Sequence, residues 1–158
     1  MMRFNKNSVA LVYALSIVAI DQITKFLVRH FMSIDEIVPL LGKYLRLRFI
    51  LNPGMAFGFQ VGGRMFFIFF SSLACLIILI FLFRMKGEHV WPRFALASIL
   101  GGAVGNLIDR VFVGEVVDFV EVGPWPIFNV ADVAVTCGMI ILIITMLLDK
   151  EDESEHDH

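Results

Sequence analysis

Four stretches of about twenty mainly apolar residues, at 9–31, 65–83, 94–113 and 130–148, occupy about half of this chain. Each is long enough to cross the roughly 30 Å hydrocarbon core of a bilayer as a helix. In that core a chain must satisfy its own backbone hydrogen bonds, which a helix does. The fold class that follows is an α-helical polytopic membrane protein with four transmembrane helices. Composition agrees: 58% of residues are hydrophobic and 18% charged, against about 45–50% and about 25% in soluble domains. Sixteen Phe and eight Met exclude a disordered chain. The 158 residues suit a single membrane domain over 1–158, and a net charge of -2 points to no nucleic-acid partner. Membrane lipids are the first partner expected.

The first stretch follows Arg3 and Lys6 as a signal peptide would, but no small-residue cleavage site follows it and the apolar pattern resumes beyond Lys25. It reads as a retained helix. Four crossings put both termini on one side, and the positive-inside rule assigns Arg3, Lys6, Arg84, Lys86, Arg93 and Lys150 to the cytoplasm. The outer loops are then 32–64 and 114–129. The first carries Lys43, Arg46 and Arg48 against the rule, whereas the second has no Lys or Arg. In the first loop Leu45, Leu47 and Phe49 alternate with Arg46 and Arg48, the period of a strand with one apolar face. Residues 116–122 are a second candidate strand. The closing segment 149–158 is acidic and polar and reads as a solvated cytoplasmic tail.

Cys75 and Cys137 both fall within apolar runs and read as free thiols. The histidines, His30, His89, His156 and His158, lie outside the apolar cores and lack metal-ligand spacing, so no metal or other cofactor is expected.

An ionisable side chain within a membrane span costs at least about 2.5–3.5 kcal/mol, so each demands a partner or a purpose. Asp21 and Lys25 share a helix face at i, i+4, either as a structural ion pair or as support for a site. In the third stretch Gly101, Gly102 and Gly105 permit close helix packing, and Asn106, Asp109 and Arg110 then share a face. Arg110 either locks Asp109 or meets a carbonyl or anionic lipid group. Asn129 and Asp132, at the start of the fourth stretch, have nearly the spacing of a capping box, and capping is the simpler reading of that pair alone. Asp118 changes this, because it interrupts an apolar strand just before the same helix. With the N-terminus inside, all these groups gather near the outer interface.

A pair of carboxylates needs no metal to hydrolyse a peptide bond, since an ionised member activates water while a protonated member polarises the carbonyl. Two such charges about 4 Å apart repel by about 4 kcal/mol at an effective dielectric of 20, enough to hold one proton near neutrality.

Five ordered segments carry a resemblance: Asp21-Gln22-Ile23-Thr24-Lys25; Asn52-Pro53-Gly54-Met55-Ala56-Phe57; the run from Gly101 through Asn106 to Asp109 and Arg110; Val117-Asp118-Phe119; and Phe128-Asn129-Val130-Ala131-Asp132. In these the chain resembles the lipoprotein signal peptidase family, the signal peptidase II aspartyl proteases of the bacterial plasma membrane. The resemblance implies that Asp118 and Asp132 are the catalytic dyad. It implies that Asp21, Lys25, Asn52, Gly54, Asn106, Asp109, Arg110 and Asn129 bind substrate or support the site. It further implies a small extracytoplasmic β-cradle and a short surface helix in the first outer loop. The implied substrate is a diacylglyceryl-modified prolipoprotein cut before its lipidated cysteine, and globomycin-type compounds are the implied inhibitors.

A small proton-coupled transporter is the alternative that also uses intramembrane carboxylates. Transport sites lie near the midplane, however, whereas Asp118 and Asp132 belong at an interface. A purely structural membrane adaptor leaves both aspartates unexplained. A serine protease lacks a G-x-S-x-G motif, and a Ser/Lys dyad would have to recruit Lys25 away from Asp21.

Overall fold

The computed structural model describes residues 6–56, 59–60, 63–85 and 90–156. Arg3, Phe57, Lys86, His89 and His158, which figure in the sequence reading, lie outside them. Among the described residues four helices are long and apolar enough to cross a membrane: α1 (Lys6–Phe31), α2 (Arg64–Arg84), α3 (Val90–Phe112) and the Val130–Leu148 part of α4 (Val130–His156). The expected spans fall within them, except that the third was expected to run to Val113, one residue past the end of α3. α3 begins four residues earlier than expected, because Pro92 sits in its first turn, where a missing N–H breaks no intrahelical bond. α4 continues to His156 instead of stopping at 148. No Gly or Pro halts it there, and Lys and Glu are good helix formers.

α3 is the central helix, and each of the other three packs against it. Small residues make that possible. A Cβ at Gly102 would stand 2.3 Å from the Ala131 carbonyl oxygen of α4, so the two backbones meet only because the side chain is absent. On the other flank Ala10 and Ala14 of α1 and Cys75 and Leu82 of α2 close on Ala97 and Leu100. α2, the most apolar helix, leaves most of its side chains to lipid.

The antiparallel pair α2 and α3 is tied at both ends by arginines. Arg64, opening α2, donates to the carbonyls of Arg110 at 2.7 Å and Val111 at 2.8 Å in the last turn of α3. Arg93, in the first turn of α3, donates to those of Leu82 at 3.5 Å and Met85 at 3.2 Å where α2 ends. Each guanidinium satisfies carbonyls that have no intrahelical partner and sits at the negative end of the neighbouring helix dipole.

Between the helices lies an antiparallel sheet in the order β1 (Ile37–Leu41), β2 (Leu45–Asn52), β5 (Val116–Val122). A short hairpin of β3 (Met55–Ala56) and β4 (Phe59–Gln60) follows β2. The strands expected from Leu45 to Phe49 and at 116–122 are therefore present. No helix stands in the first outer loop among the described residues, where the resemblance implied one. The extended alternation of β2 runs into Asn52-Pro53-Gly54, and Gly54 has φ +102°, a conformation that breaks a helix. Phe49, Val117 and Phe119 pack with Val28 of α1, fixing the sheet to the end of the bundle. Since Val117 and Phe119 face that cluster, the period of two turns Asp118 to the opposite side.

Candidate active site

Three ionisable side chains form a buried knot across α1 and α3. Lys25 Nζ stands 2.9 Å from Asp21 Oδ2 and 2.9 Å from Asp109 Oδ2, and all three side chains are fully buried. Such a group persists only if its remaining lone pairs are filled. The backbone fills them: Ala131 N–H donates to Asp21 Oδ1 at 2.9 Å and Val117 N–H to Asp109 Oδ2 at 3.0 Å. The knot therefore grips the start of α4 and the start of β5, the two elements that carry Asp132 and Asp118. Gln22 completes it, its Nε2 donating to Asp21 at 3.1 Å, the Gly105 carbonyl at 3.1 Å and Asp109 at 3.3 Å. The structural reading of Asp21 and Lys25 as an ion pair holds.

A frame of three asparagine side chains leads from this knot to the two aspartates. Lys25 only donates, so the Asn106 Oδ1 faces it at 2.8 Å, and the Asn106 amide nitrogen is left to donate to Asp132 Oδ1 at 2.8 Å. Asn129 is oriented in the same way. Its Oδ1 accepts the Asp132 N–H at 3.0 Å, so its Nδ2 donates to Asp118 Oδ1 at 2.7 Å and to Asn106 Oδ1 at 3.0 Å. Asn52 accepts the Gly54 N–H at 2.9 Å and donates to Asp118 Oδ2 at 2.9 Å. The capping box is also real, because Asn129 N–H returns to Asp132 Oδ2 at 3.1 Å. Capping and participation in the site thus belong to the same pair of residues.

Asp118 is almost completely buried. Burial pushes its carboxyl up to about 7, and the nearby Asp132 charge adds to this, while donation from Asn52 and Asn129 and the Lys25 charge oppose it. Asp132 is half-buried and forms part of the wall of a largely apolar cavity of about 400 Å³, with Trp125, Pro126, Phe128, Val133, Thr136 and Cys137. Arg110 lies with its guanidinium carbon 5.0 Å from the centre of the Phe67 ring of α2. Against the same ring packs Gly54, where a Cβ would stand 2.1 Å from Phe67 Cε2.

The structure gathers into one network Asp118, Asp132, Asp21, Lys25, Asn52, Asn106, Asp109 and Asn129, with Gly54 and Arg110 at its edge. Arg110 does not lock Asp109, which is held by Lys25; its own side chain donates to the Asn106 carbonyl at 3.4 Å. Sequence reasoning missed Gln22, Arg64 and Phe67. Gln22 adjoins Asp21 and was readable as a third polar residue in a span, but nothing distinguishes Phe67 within its Phe-rich run. Among the described residues no three His, Cys, Asp or Glu side chains are placed to hold a metal ion.

A family model described as signal peptidase (SPase) II matches residues 13–148. A lipoprotein signal peptidase of Moorella thermoacetica is 40% identical over 143 residues, covering 90% of this chain and 95% of the relative. One from Desulforapulum autotrophicum is 43% identical over 143 residues, covering 85% and 88%. Two solved structures of a bacterial membrane enzyme, at 2.3 and 1.9 Å resolution, superpose with TM-scores of 0.86 and 0.82. Both are 31% identical to this chain; the first covers 92% of it and 91% of the solved chain, the second 89% and 93%.

Proposed function

The chain belongs to the signal peptidase II family, and we propose that Asp118 and Asp132 are the pair with which it removes the signal peptide from diacylglyceryl-modified prolipoproteins. The cut falls just before the lipidated cysteine. The observation that carries this reading is the asparagine frame. Asn106, Asn129 and Asn52 aim N–H donors at both carboxyl groups, tying Asp118 and Asp132 into one hydrogen-bonded frame, and Asp132 lines an apolar cavity.

A general acid and a general base result. Asp118, with its carboxyl pushed up to about 7, holds a proton near neutrality. Asp132 acts as the carboxylate and takes a proton from a water molecule, whose oxygen attacks the scissile carbonyl carbon. Asp118 donates a hydrogen bond to the carbonyl oxygen as negative charge develops there. When the tetrahedral intermediate collapses, the C–N bond breaks and the leaving nitrogen takes up the proton held by Asp132. The signal peptide keeps the new carboxyl group and the lipidated cysteine the new amine. Arg110 and Asn52 engage polar groups of the substrate, and the lipid chains remain among the helices.

The charge asymmetry of the loops favours both termini in the cytoplasm, with the site at the outer interface of the plasma membrane. Globomycin-type compounds would occupy the same site, and the 158 residues act as one membrane domain. A transporter is not supported, since family and fold are those of a peptidase. The reading is tested by incubating purified protein with a prolipoprotein bearing or lacking diacylglycerol at equal membrane concentration. Cleavage of the lipidated form is expected. Equal processing of the unmodified peptide would overturn the lipid requirement.

A further inference from the structure

Of the four phenylalanines in the first turns of α2, Phe66, Phe69 and Phe70 are exposed, whereas Phe67 is half-buried. Its ring lies under the guanidinium of Arg110, whose central carbon stands 5.0 Å from the ring centre. Little else fixes that side chain. Among the described residues Arg110 forms no ion pair, since Lys25 takes Asp109 and the asparagines serve Asp118 and Asp132. Its one hydrogen bond there runs to the Asn106 carbonyl, a turn back on its own helix, and at 3.4 Å it is too long to be strong. The negative face of an aromatic ring attracts such a cation, and does so more strongly where water is excluded.

The ring is itself held from two sides. Arg64 stands three residues before Phe67 on the same helix face and ties the start of α2 to the Arg110 and Val111 carbonyls at 2.7 and 2.8 Å. Gly54 meets the ring from the outer loop, so closely that a Cβ there would overlap Cε2, Cζ and Cδ2. The Gly54 N–H donates to Asn52 Oδ1, and Asn52 Nδ2 donates to Asp118 Oδ2. A continuous path of contacts therefore runs from Asp118 through Asn52 and Gly54 to Phe67 and Arg110. A Leu or Ile would also fill this space, but only an aromatic face holds a cation as well.

We propose that Phe67 is a positioning residue for peptide cleavage: its ring carries the Arg110 guanidinium and bears on Gly54, so that Arg110 and Asn52 present their donors to the substrate in one fixed relation. This role rests on the proposed binding of substrate polar groups by Arg110 and Asn52, and Phe67 itself touches no reacting atom. Loss of the ring face leaves Asp118 and Asp132 in their asparagine frame and weakens only the hold on the substrate. KM then rises while kcat is spared.

The test replaces Phe67 in the full chain by phenylalanine carrying one, two and three ring fluorines, which weaken the negative face stepwise and keep the carbon skeleton. Cleavage of a lipidated prolipoprotein and Tm are measured for each. KM is expected to rise at every step, to about fivefold with three fluorines, while kcat stays within about twofold and Tm nearly constant. Phe67→Leu should raise KM at least as far. Arg110→Gln separates this role from the substrate contact it rests on, and should impair cleavage at least as much as Phe67→Leu. A flat KM across the fluorine series with Arg110→Gln impaired would overturn the role of Phe67 and leave the substrate contact standing. Unchanged cleavage in Arg110→Gln would overturn that contact and the role of Phe67 with it. A fall of Tm and kcat at constant KM in Phe67→Leu would make the ring a packing residue and overturn the proposal too.

Discussion

Asn106 and Asn129 decide what the two aspartates can do, because each amide is oriented by a group that can only donate: Lys25 Nζ for the first, the Asp132 N–H for the second. Both carboxyl groups therefore receive N–H donors from the asparagines. Asp118→Asn and Asp132→Asn are each expected to abolish cleavage with insertion intact, since an amide of the same shape transfers no proton at these positions. Turnover of a lipidated prolipoprotein by either folded variant would remove that residue from the chemistry. The raised Asp118 carboxyl adds a pH dependence. A carboxyl that titrates near 7 when folded and near 4 when unfolded binds more protons in the native state, so stability falls as pH rises from about 4 to about 7 and stays reduced above that. Asp118→Asn removes that penalty, on the order of a few kcal/mol, but turns its own amide NH2 toward the Asn52 or Asn129 donor, which costs about 1–3 kcal/mol. Its Tm should exceed that of wild type at pH 8, and the difference should shrink as the pH is lowered toward 5. Wild-type cleavage should decline above about pH 7 as Asp118 loses its proton. A Tm difference that does not vary with pH would show that Asp118 titrates normally.

At the scale of the elements, the site is the place where α1, α3, β5 and α4 are pinned together, and the pins are both ionic and steric. Asp21 holds α4 through the Ala131 N–H and Asp109 holds β5 through the Val117 N–H, with Lys25 between them. Lys25→Ala leaves two buried carboxylates facing each other and is expected to cost about 3–5 kcal/mol. Expression, Tm and cleavage should fall together; unchanged values would show that the pair bears no load. The steric pin is Gly102. Gly102→Ala sets a methyl group against the Ala131 carbonyl, one residue before Asp132, and overpacking of this kind costs about 1–3 kcal/mol. A loss of kcat at unchanged KM is expected, because α4 must shift to admit the methyl. These elements differ in how far the sequence revealed them. Charged residues within apolar spans announce themselves, so Asp21, Lys25, Asp109, Asp118 and Asp132 were legible as candidates, as was the alternation in β2, whereas the Lys25–Asp109 pairing was not. The β3–β4 hairpin, Arg64 and Phe67 were not, because two-residue strands carry no period, and a cap reaching from one helix end to another leaves no local pattern.

Over the whole molecule, polar chemistry is confined to the two ends of an apolar bundle, and the fold keeps them apart by the length of α4. The segment from Asp132 to Lys150 spans 18 residues, about 27 Å at 1.5 Å per residue, so the end of α4 lies a membrane thickness from Asp132. The continuation of α4 to His156 was not legible, because acidic composition distinguishes a solvated segment from a buried one but not a helix from a coil. Its helical character still brings it no nearer the site. α4 packs mainly on α3, through Gly102 against Ala131 and Gly138 against the Ala95 carbonyl, and both contacts precede the acidic segment. Terminal segments beyond such packing open at almost no free-energy cost and contribute correspondingly little to stability. Truncation after Asp149 is therefore expected to leave kcat and KM within about twofold of wild type and Tm nearly unchanged, as for any frayed terminus. Assay of the truncated protein on a lipidated prolipoprotein, with insertion verified, checks this. A large loss of cleavage would mean that the acidic end of α4 takes part in substrate handling on the face opposite the dyad.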